Sequence, residues 1–150
     1  QKMKFYYGNM NERQFRNVYR KALSKKGNTT ENLVGLLERR LDTIIYRAKF
    51  ATTVFSARQL INHGHIKVNG KKVNISSFLV SDKDTIELKD KSKELLVVAG
   101  SLVSKEREIP DYIQMDEKNK IAKLIRVPKF SEVPYPTIME PNLVVEYYSR

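Results

Sequence analysis

Residues 56–73 read Ser-Ala-Arg-Gln-Leu-Ile-Asn-His-Gly-His-Ile-Lys-Val-Asn-Gly-Lys-Lys-Val, and this run leaves the local chain few ways to fold. The apolar spacing predicts a helix over 53–63. Gly64 stands where a helix end needs a left-handed residue. A strand over 65–68 should follow, then a turn at Asn69-Gly70 and a second strand; Asn-Gly between two alternating apolar runs is the strongest short hairpin signal. Arg58, Gln59, Asn62, His63, Lys67, Asn69, Lys71 and Lys72 are spread through this unit. A helix and a tight turn edged with cations and amides form a stiff support for a phosphate backbone.

Around this unit the chain alternates helical and extended patterns. Short helices are expected over 1–7 and 11–24, the second with Phe15, Val18, Tyr19 and Ala22 or Leu23 at spacings of three and four. Thr29 or Thr30 should cap the next helix, whose apolar positions run from Leu33 to Ala48 as one bent helix or two consecutive ones. Ser81-Asp82-Lys83-Asp84 reads as a turn before a strand over 85–88. The stretch 91–105 reads as a helix, 112–116 and 122–127 as an antiparallel pair, and 142–150 as a closing helix with Leu143, Val144 and Tyr147 on its apolar side.

The fold class is therefore α+β: an all-helical domain plus a small antiparallel-sheet domain with helices on one face. The expected division is 1–49 plus 131–150 for the helical domain and 50–130 for the sheet domain, with the helix–hairpin unit at 53–73.

The formal net charge is +11, with +8 over 1–49, +2 over 50–90 and +1 over 91–150. A field of this sign attracts polyanions, nucleic acid before anionic membrane. The basic helices carry core-type apolar stripes and no Trp, so a membrane partner is not expected. There is no cysteine. Thiolate metal sites are therefore ruled out, and His63 and His65 lack the further ligands a metal needs; neither metal nor cofactor is expected. The chain starts at Gln1 and reads as a fragment or processed product.

The run 56–73 resembles the α-L RNA-binding motif, which implies RNA as the partner. Gln1-Lys2-Met3-Lys4-Phe5-Tyr6-Tyr7-Gly8, Arg13-Gln14-Phe15, the stretch from Glu31-Asn32-Leu33 to Glu38-Arg39-Arg40-Leu41-Asp42, and the ending from Val133-Pro134-Tyr135-Pro136 to Tyr147-Tyr148-Ser149-Arg150 are similar to the bacterial-type family of small ribosomal subunit protein four. The ending is most like alphaproteobacterial or mitochondrially encoded members.

That resemblance implies a non-enzymatic protein that binds small-subunit ribosomal RNA early in assembly and holds a multi-helix junction of the 5′ domain. It implies contacts with neighbouring small-subunit proteins, a place on the ribosome in a bacterial cytoplasm or mitochondrial matrix, and, for some members, binding to their own messenger. The family's cysteine-bearing N-terminal extension has no counterpart here, so no zinc is expected.

Recognition of folded RNA leans on phosphates, 2′-hydroxyls and unstacked bases, because the A-form major groove hides base edges. The expected contact residues are Lys2, Lys4, Arg13, Arg16, Arg20, Lys21, Arg40, Arg47, Arg58, Gln59, Asn62, His63, Lys67, Asn69 and Lys71, with arginines ranked above lysines because a guanidinium can fork two phosphate oxygens. Tyr6 and Tyr7 could stack on bases, although aromatics at such spacing more often build a core.

Two rival functions fit less well. Arg40-Leu41-Asp42 resembles the triplet carrying the catalytic aspartate of pseudouridine synthases, but there it follows the α-L module inside a large domain. Here it precedes the module, and 77 residues follow residue 73. A free-standing RNA-binding module is the other rival; the ending from Val133 to Arg150 argues for the ribosomal family instead.

Overall fold

A computed structural model describes residues 2–150, among which there are seven α-helices and one five-stranded sheet. The chain divides into two units: residues up to Glu38 together with Pro128–Arg150, and Arg39–Val127.

The first unit is helical. It holds α1 (Lys2–Tyr6), α2 (Glu12–Ser24), α3 (Thr29–Glu38) and α7 (Pro141–Tyr148), and α7 packs on α2 and α3. Gly8 at φ 84 closes the turn that follows α1. A full capping box opens α2: the Asn11 side chain accepts from the Gln14 amide at 2.8 Å and the Gln14 side chain accepts from the Asn11 amide at 3.2 Å. The cap of α3 is Asn28, whose Oδ1 accepts from the Glu31 amide at 3.0 Å, not Thr29 or Thr30 as the sequence suggests.

The core of this unit contains Met3, Tyr7, Phe15, Tyr19, Ala22, Leu33 and Leu37. Tyr7 is 1% exposed and donates to the buried Glu38 carboxylate at 2.6 Å, while Tyr6 and Tyr7 both meet Tyr135 in edge contacts. Tyr7 belongs to the core, and Tyr6, half-buried, packs edge-on against Tyr7 and Tyr135 at 5.1 Å in each case.

The second unit is a sheet with helices on one face. α4 (Leu41–Arg47) and α5 (Val54–Asn62) precede β1 (Ile66–Val68), β2 (Lys71–Lys72) and β3 (Thr85–Leu88). α6 (Leu96–Val103) then leads to β4 (Ile113–Asp116) and β5 (Ile121–Leu124). The strand order is β2-β1-β3-β5-β4 and every pairing is antiparallel. Strand periodicity sends Ile66, Val68, Ile86, Leu88, Ala122 and Leu124 into one core with Leu41, Ile44, Ile45 and Ala48 from α4 and its C-cap and Ala57, Leu60 and Ile61 of α5. The stretch expected as one helix over 91–105 is a 3₁₀ turn at Asp90–Ser92 followed by α6.

The structure places the division between Glu38 and Arg39, not at 49/50. The cause is tertiary. Residues 39–42 pair with the loop before β3: the amides of Leu41, Asp42 and Val80 bond to the carbonyls of Phe78, Ser76 and Arg39 at 2.8, 3.2 and 2.8 Å. This pairing interrupts the long apolar stripe and carries α4 into the sheet's core. It also moves charge. The helical unit has ten basic and six acidic residues, net +4, and the sheet unit has eighteen and eleven, net +7.

Candidate nucleic-acid interface

The sheet unit presents its polar surface on α5 and the hairpin after it. Thr53 caps α5, its hydroxyl accepting from the Ser56 amide at 3.0 Å. The helix then buries Val54, Ala57, Leu60 and Ile61, and turns Phe55, Gln59, Asn62 and His63 to solvent. It ends in a complete Schellman motif: the His65 amide donates to the Leu60 carbonyl and the Gly64 amide to the Ile61 carbonyl, both at 3.0 Å, with Gly64 at φ 79. Asn69 and Gly70 follow at φ 51 and 81, the two positive values of a type I′ hairpin turn.

The hairpin carries Lys67 and Lys72 as cross-strand partners. A Cβ built on Gly64 would lie 3.5 Å from Lys72 Cδ and 3.7 Å from its Nζ, so this ammonium sits at the C-terminal end of α5. That is the end of a helix that favours a cation. Gln59, Asn62 and His63 thus share the exposed side of α5, Lys72 lies across its end and Lys71 is exposed next to it on the hairpin, the backbone being fixed by hydrogen bonds at the helix end and at the turn. Amides and ammonium groups on such a support match 2′-hydroxyls and phosphates.

The other expected residues of this unit sort differently. Asp42 is 0% exposed and accepts from Arg40 Nε and Nη2 at 3.2 and 3.1 Å and from Arg58 Nε at 3.0 Å. Arg40 is itself 7% exposed and Arg47 4%, so the structure places both in the interior, where the sequence suggests surface cations. A buried carboxylate held by two guanidinium groups is a structural centre. Arg58 is 24% exposed along its side chain and also lies over the Phe55 ring at 5.8 Å. Its guanidinium is shared between structure and surface.

Asn69 is exposed, but its Oδ1 accepts from the Thr85 amide and its Nδ2 donates to Asp84 Oδ1, both at 2.9 Å. Its side chain staples the turn to β3. His65 Nδ1 is 2.6 Å from Ser92 Oγ, and no group of three or more His, Asp or Glu among the described residues is placed to hold a metal ion. Among the described residues no helix is long and apolar enough to cross a membrane.

The helical unit has its own basic surface. Burial of Phe15, Tyr19 and Ala22 turns Arg13, Arg16, Arg20 and Lys21 of α2 outward, and Lys2 is exposed on α1. Lys4 is partly covered and ion-paired to Glu12 at 2.6 Å. Glu12 also accepts from Arg16 at 3.3 Å and from the Tyr148 hydroxyl at 2.9 Å. The hydrogen bond from Lys4, then that from Tyr148, holds the Glu12 carboxyl below the ordinary 4.5. Burial, then the bond to Glu12, pushes the Tyr148 hydroxyl up to about 12.

Phe55 and Tyr147 are exposed aromatics, at 59% and 63%. Phe55 is legible as an aromatic outside the apolar stripe of its helix. The spacing puts Tyr147 on the packed side of the last helix, yet Leu143 and Tyr147 are 50% and 63% exposed, and it is Tyr148 that packs, against Phe15 and Tyr19 at 5.6 and 5.4 Å.

The family described as ribosomal protein S4/S9 N-terminal domain matches residues 1–38, and the S4 domain family matches residues 39–86. The two matches meet where the structure divides. Over 150 residues the chain is 68% identical to small ribosomal subunit protein uS4 of Pelagibacter ubique (strain HTCC1062), covering 100% of this chain and 73% of that relative. It is 56% identical to the protein of the same name from Rhizobium meliloti (strain 1021) and 55% identical to that from Gluconacetobacter diazotrophicus (strain ATCC 49037), with the same coverage in each case.

Proposed function

Because the chain belongs to the small ribosomal subunit protein uS4 family, we propose that its two basic surfaces grip folded small-subunit ribosomal RNA where several RNA helices meet in the 5′ domain. The protein is a structural, RNA-binding component of the small ribosomal subunit and not an enzyme. Its work is electrostatic and geometric. Converging RNA helices crowd their phosphates, and cations on a stiff support offset that repulsion while releasing condensed counterions.

The observation that carries the reading is the α5–hairpin surface. Gln59, Asn62 and His63 share the exposed side of α5, and Lys72 lies across its end, with the backbone pinned by a Schellman motif and a type I′ turn. Neighbouring small-subunit proteins are the further partners of this family. The bacterial sources of the relatives support the bacterial cytoplasm over the mitochondrial matrix, and the same surfaces would serve an autoregulatory messenger that copies the junction's shape.

The test is a titration of a small-subunit ribosomal RNA transcript at stepped potassium chloride, with nuclease footprinting. Affinity should fall steeply with salt, and protection should gather at one junction. Binding that ignores salt, or that an unstructured oligonucleotide competes away at equal concentration, overturns the reading.

A further inference from the structure

Tyr147 stands between two hollows of the helical unit. On one side lies a groove of about 500 Å³ lined by Arg16, Tyr19, Arg20, Tyr147, Tyr148 and Arg150. On the other lies a hollow of about 370 Å³ lined by Lys4, Glu12, Leu143, Val144, Tyr147 and Tyr148. Both are in the size range of small-ligand sites. The first is cationic; the second is walled largely by apolar side chains.

We propose that this part of the helical unit seats one unstacked nucleotide, its base against the Tyr147 ring and its flanking phosphates among Arg16, Arg20 and Arg150. The inference rests on the ribosomal-RNA reading and adds a subsite to it.

Three observations carry it. First, Tyr147 is a large aromatic that is 63% exposed, while its neighbour Tyr148 is held still by Phe15, Tyr19 and a 2.9 Å hydrogen bond to Glu12. Tyr147 leans on that fixed ring edge-on, at 5.1 Å and 88°, so its orientation is braced and a face is open. Second, Leu143 is 50% exposed one helical turn earlier, which extends the apolar platform along α7.

Third, the charges do not balance. Lys4, Arg16, Arg20 and Arg150 line the two hollows, and the carboxylates near them are Glu12, shared by Lys4 and Arg16, and Glu146, paired with Arg150 at 3.5 Å. Arg20 makes no ion pair among the described residues. Four cationic side chains thus face two side-chain carboxylates, an excess of the sign opposite to that of phosphodiesters. Aromatic stacking beside a cationic groove is how single-stranded bases are held without reading their sequence.

The test compares the full chain with Tyr147→Ala, Tyr147→Leu and Tyr147→Phe on the same ribosomal RNA transcript, reading affinity, its salt dependence and base-directed chemical probing. Tyr147→Ala and Tyr147→Leu should each weaken binding roughly 5- to 150-fold with the salt slope unchanged, and should expose one base that the wild type protects. Tyr147→Phe should bind within about twofold, since the ring does the work. Thermal melting should be the same for all four proteins, because the side chain is mostly exposed; Tyr147→Leu keeps apolar contact and guards against a packing defect in the alanine variant.

If the wild type binds with strong salt dependence and Tyr147→Ala binds equally well, the nucleotide seat is wrong and the ribosomal-RNA reading stands. If Tyr147→Phe loses as much as Tyr147→Ala, the hydroxyl acts and stacking is overturned. A wild type without salt-dependent binding removes the reading on which the seat depends.

Discussion

A carboxylate with no exposed surface needs a donor on every side, and Asp42 takes three hydrogen bonds from Arg40 and Arg58. Removing a partner of a buried pair leaves an uncompensated charge, which costs far more than the pair contributes net. Asp42→Ala should therefore lower unfolding free energy by about 3–5 kcal/mol, read from chemical denaturation. Arg58→Ala removes one of those donors at a partly exposed site and should cost about 1–3 kcal/mol. A variant as stable as the wild type would show that the Arg58–Asp42 bond is not formed in solution. At Tyr148 the sign runs the other way from a carboxylate. Its hydroxyl is 10.0 in the ordinary case and about 12 when folded, so the neutral form is bound more tightly by the native state. The stabilisation is whole below pH 10 and drains away as pH rises from there to about 12. Glu12, held below 4.5, contributes above that value and loses its contribution as pH falls beneath it. Melting temperature against pH should thus decline at both ends, and Tyr148→Phe should shrink both declines. An unchanged alkaline limb in Tyr148→Phe would place the loss elsewhere.

At the scale of elements, the parts decided by neighbouring residues are readable in the sequence and the parts decided by distant ones are not. Gly64, Asn69 and Gly70 announce the helix stop and the turn because positive φ is a local demand, and the strand over 85–88 lies where its alternation puts it. The stripe from Leu33 to Ala48 does not announce its break, because that break is made by backbone pairing of 39–42 with 76–80, far along the chain. For the same reason Arg40 reads as a surface cation although the fold buries it. The last helix misleads in the opposite sense: Leu143 and Tyr147 have core-like spacing but line an open hollow. Local devices make separable predictions. Asn11→Ala removes the capping box of α2 and should cost about 1 kcal/mol by thermal or chemical melting. Gly64→Val should cost about 1–3 kcal/mol, because a β-branched residue is strained at φ 79. The nearest atom to an added Cβ is Lys72 Cδ at an ordinary 3.5 Å, so the loss measures backbone strain and not a clash. An undisturbed melting curve for Gly64→Val would remove the Schellman argument.

For the molecule as a whole, the question is which unit supplies the grip. Read along the sequence, charge is concentrated before residue 50, which favours the helical unit. Read by unit, the balance reverses to +4 and +7, because Arg39, Arg40, Arg47 and Lys49 belong with the sheet. Net charge alone does not decide, since Arg40 and Arg47 are buried and add to the long-range field from inside the fold. What counts is cations that reach solvent from pinned backbone, and both units have them: Arg13, Arg16 and Arg20 exposed on α2, Lys71 and Lys72 exposed and Lys67 half-exposed on the hairpin. Each cation that no longer neutralises a phosphate should reduce the slope of log affinity against log salt by about 0.7–0.9. Replacing the three arginines by Gln, or the three lysines by Gln, should therefore flatten the slope by roughly 2 in either case. Replacing all six should flatten it by about the sum, since the two sets lie in different units and share no ion pair among the described residues. If the lysine variant keeps the wild-type slope while the arginine variant loses most of it, binding belongs to the helical unit, and the hairpin surface serves another partner of the small subunit.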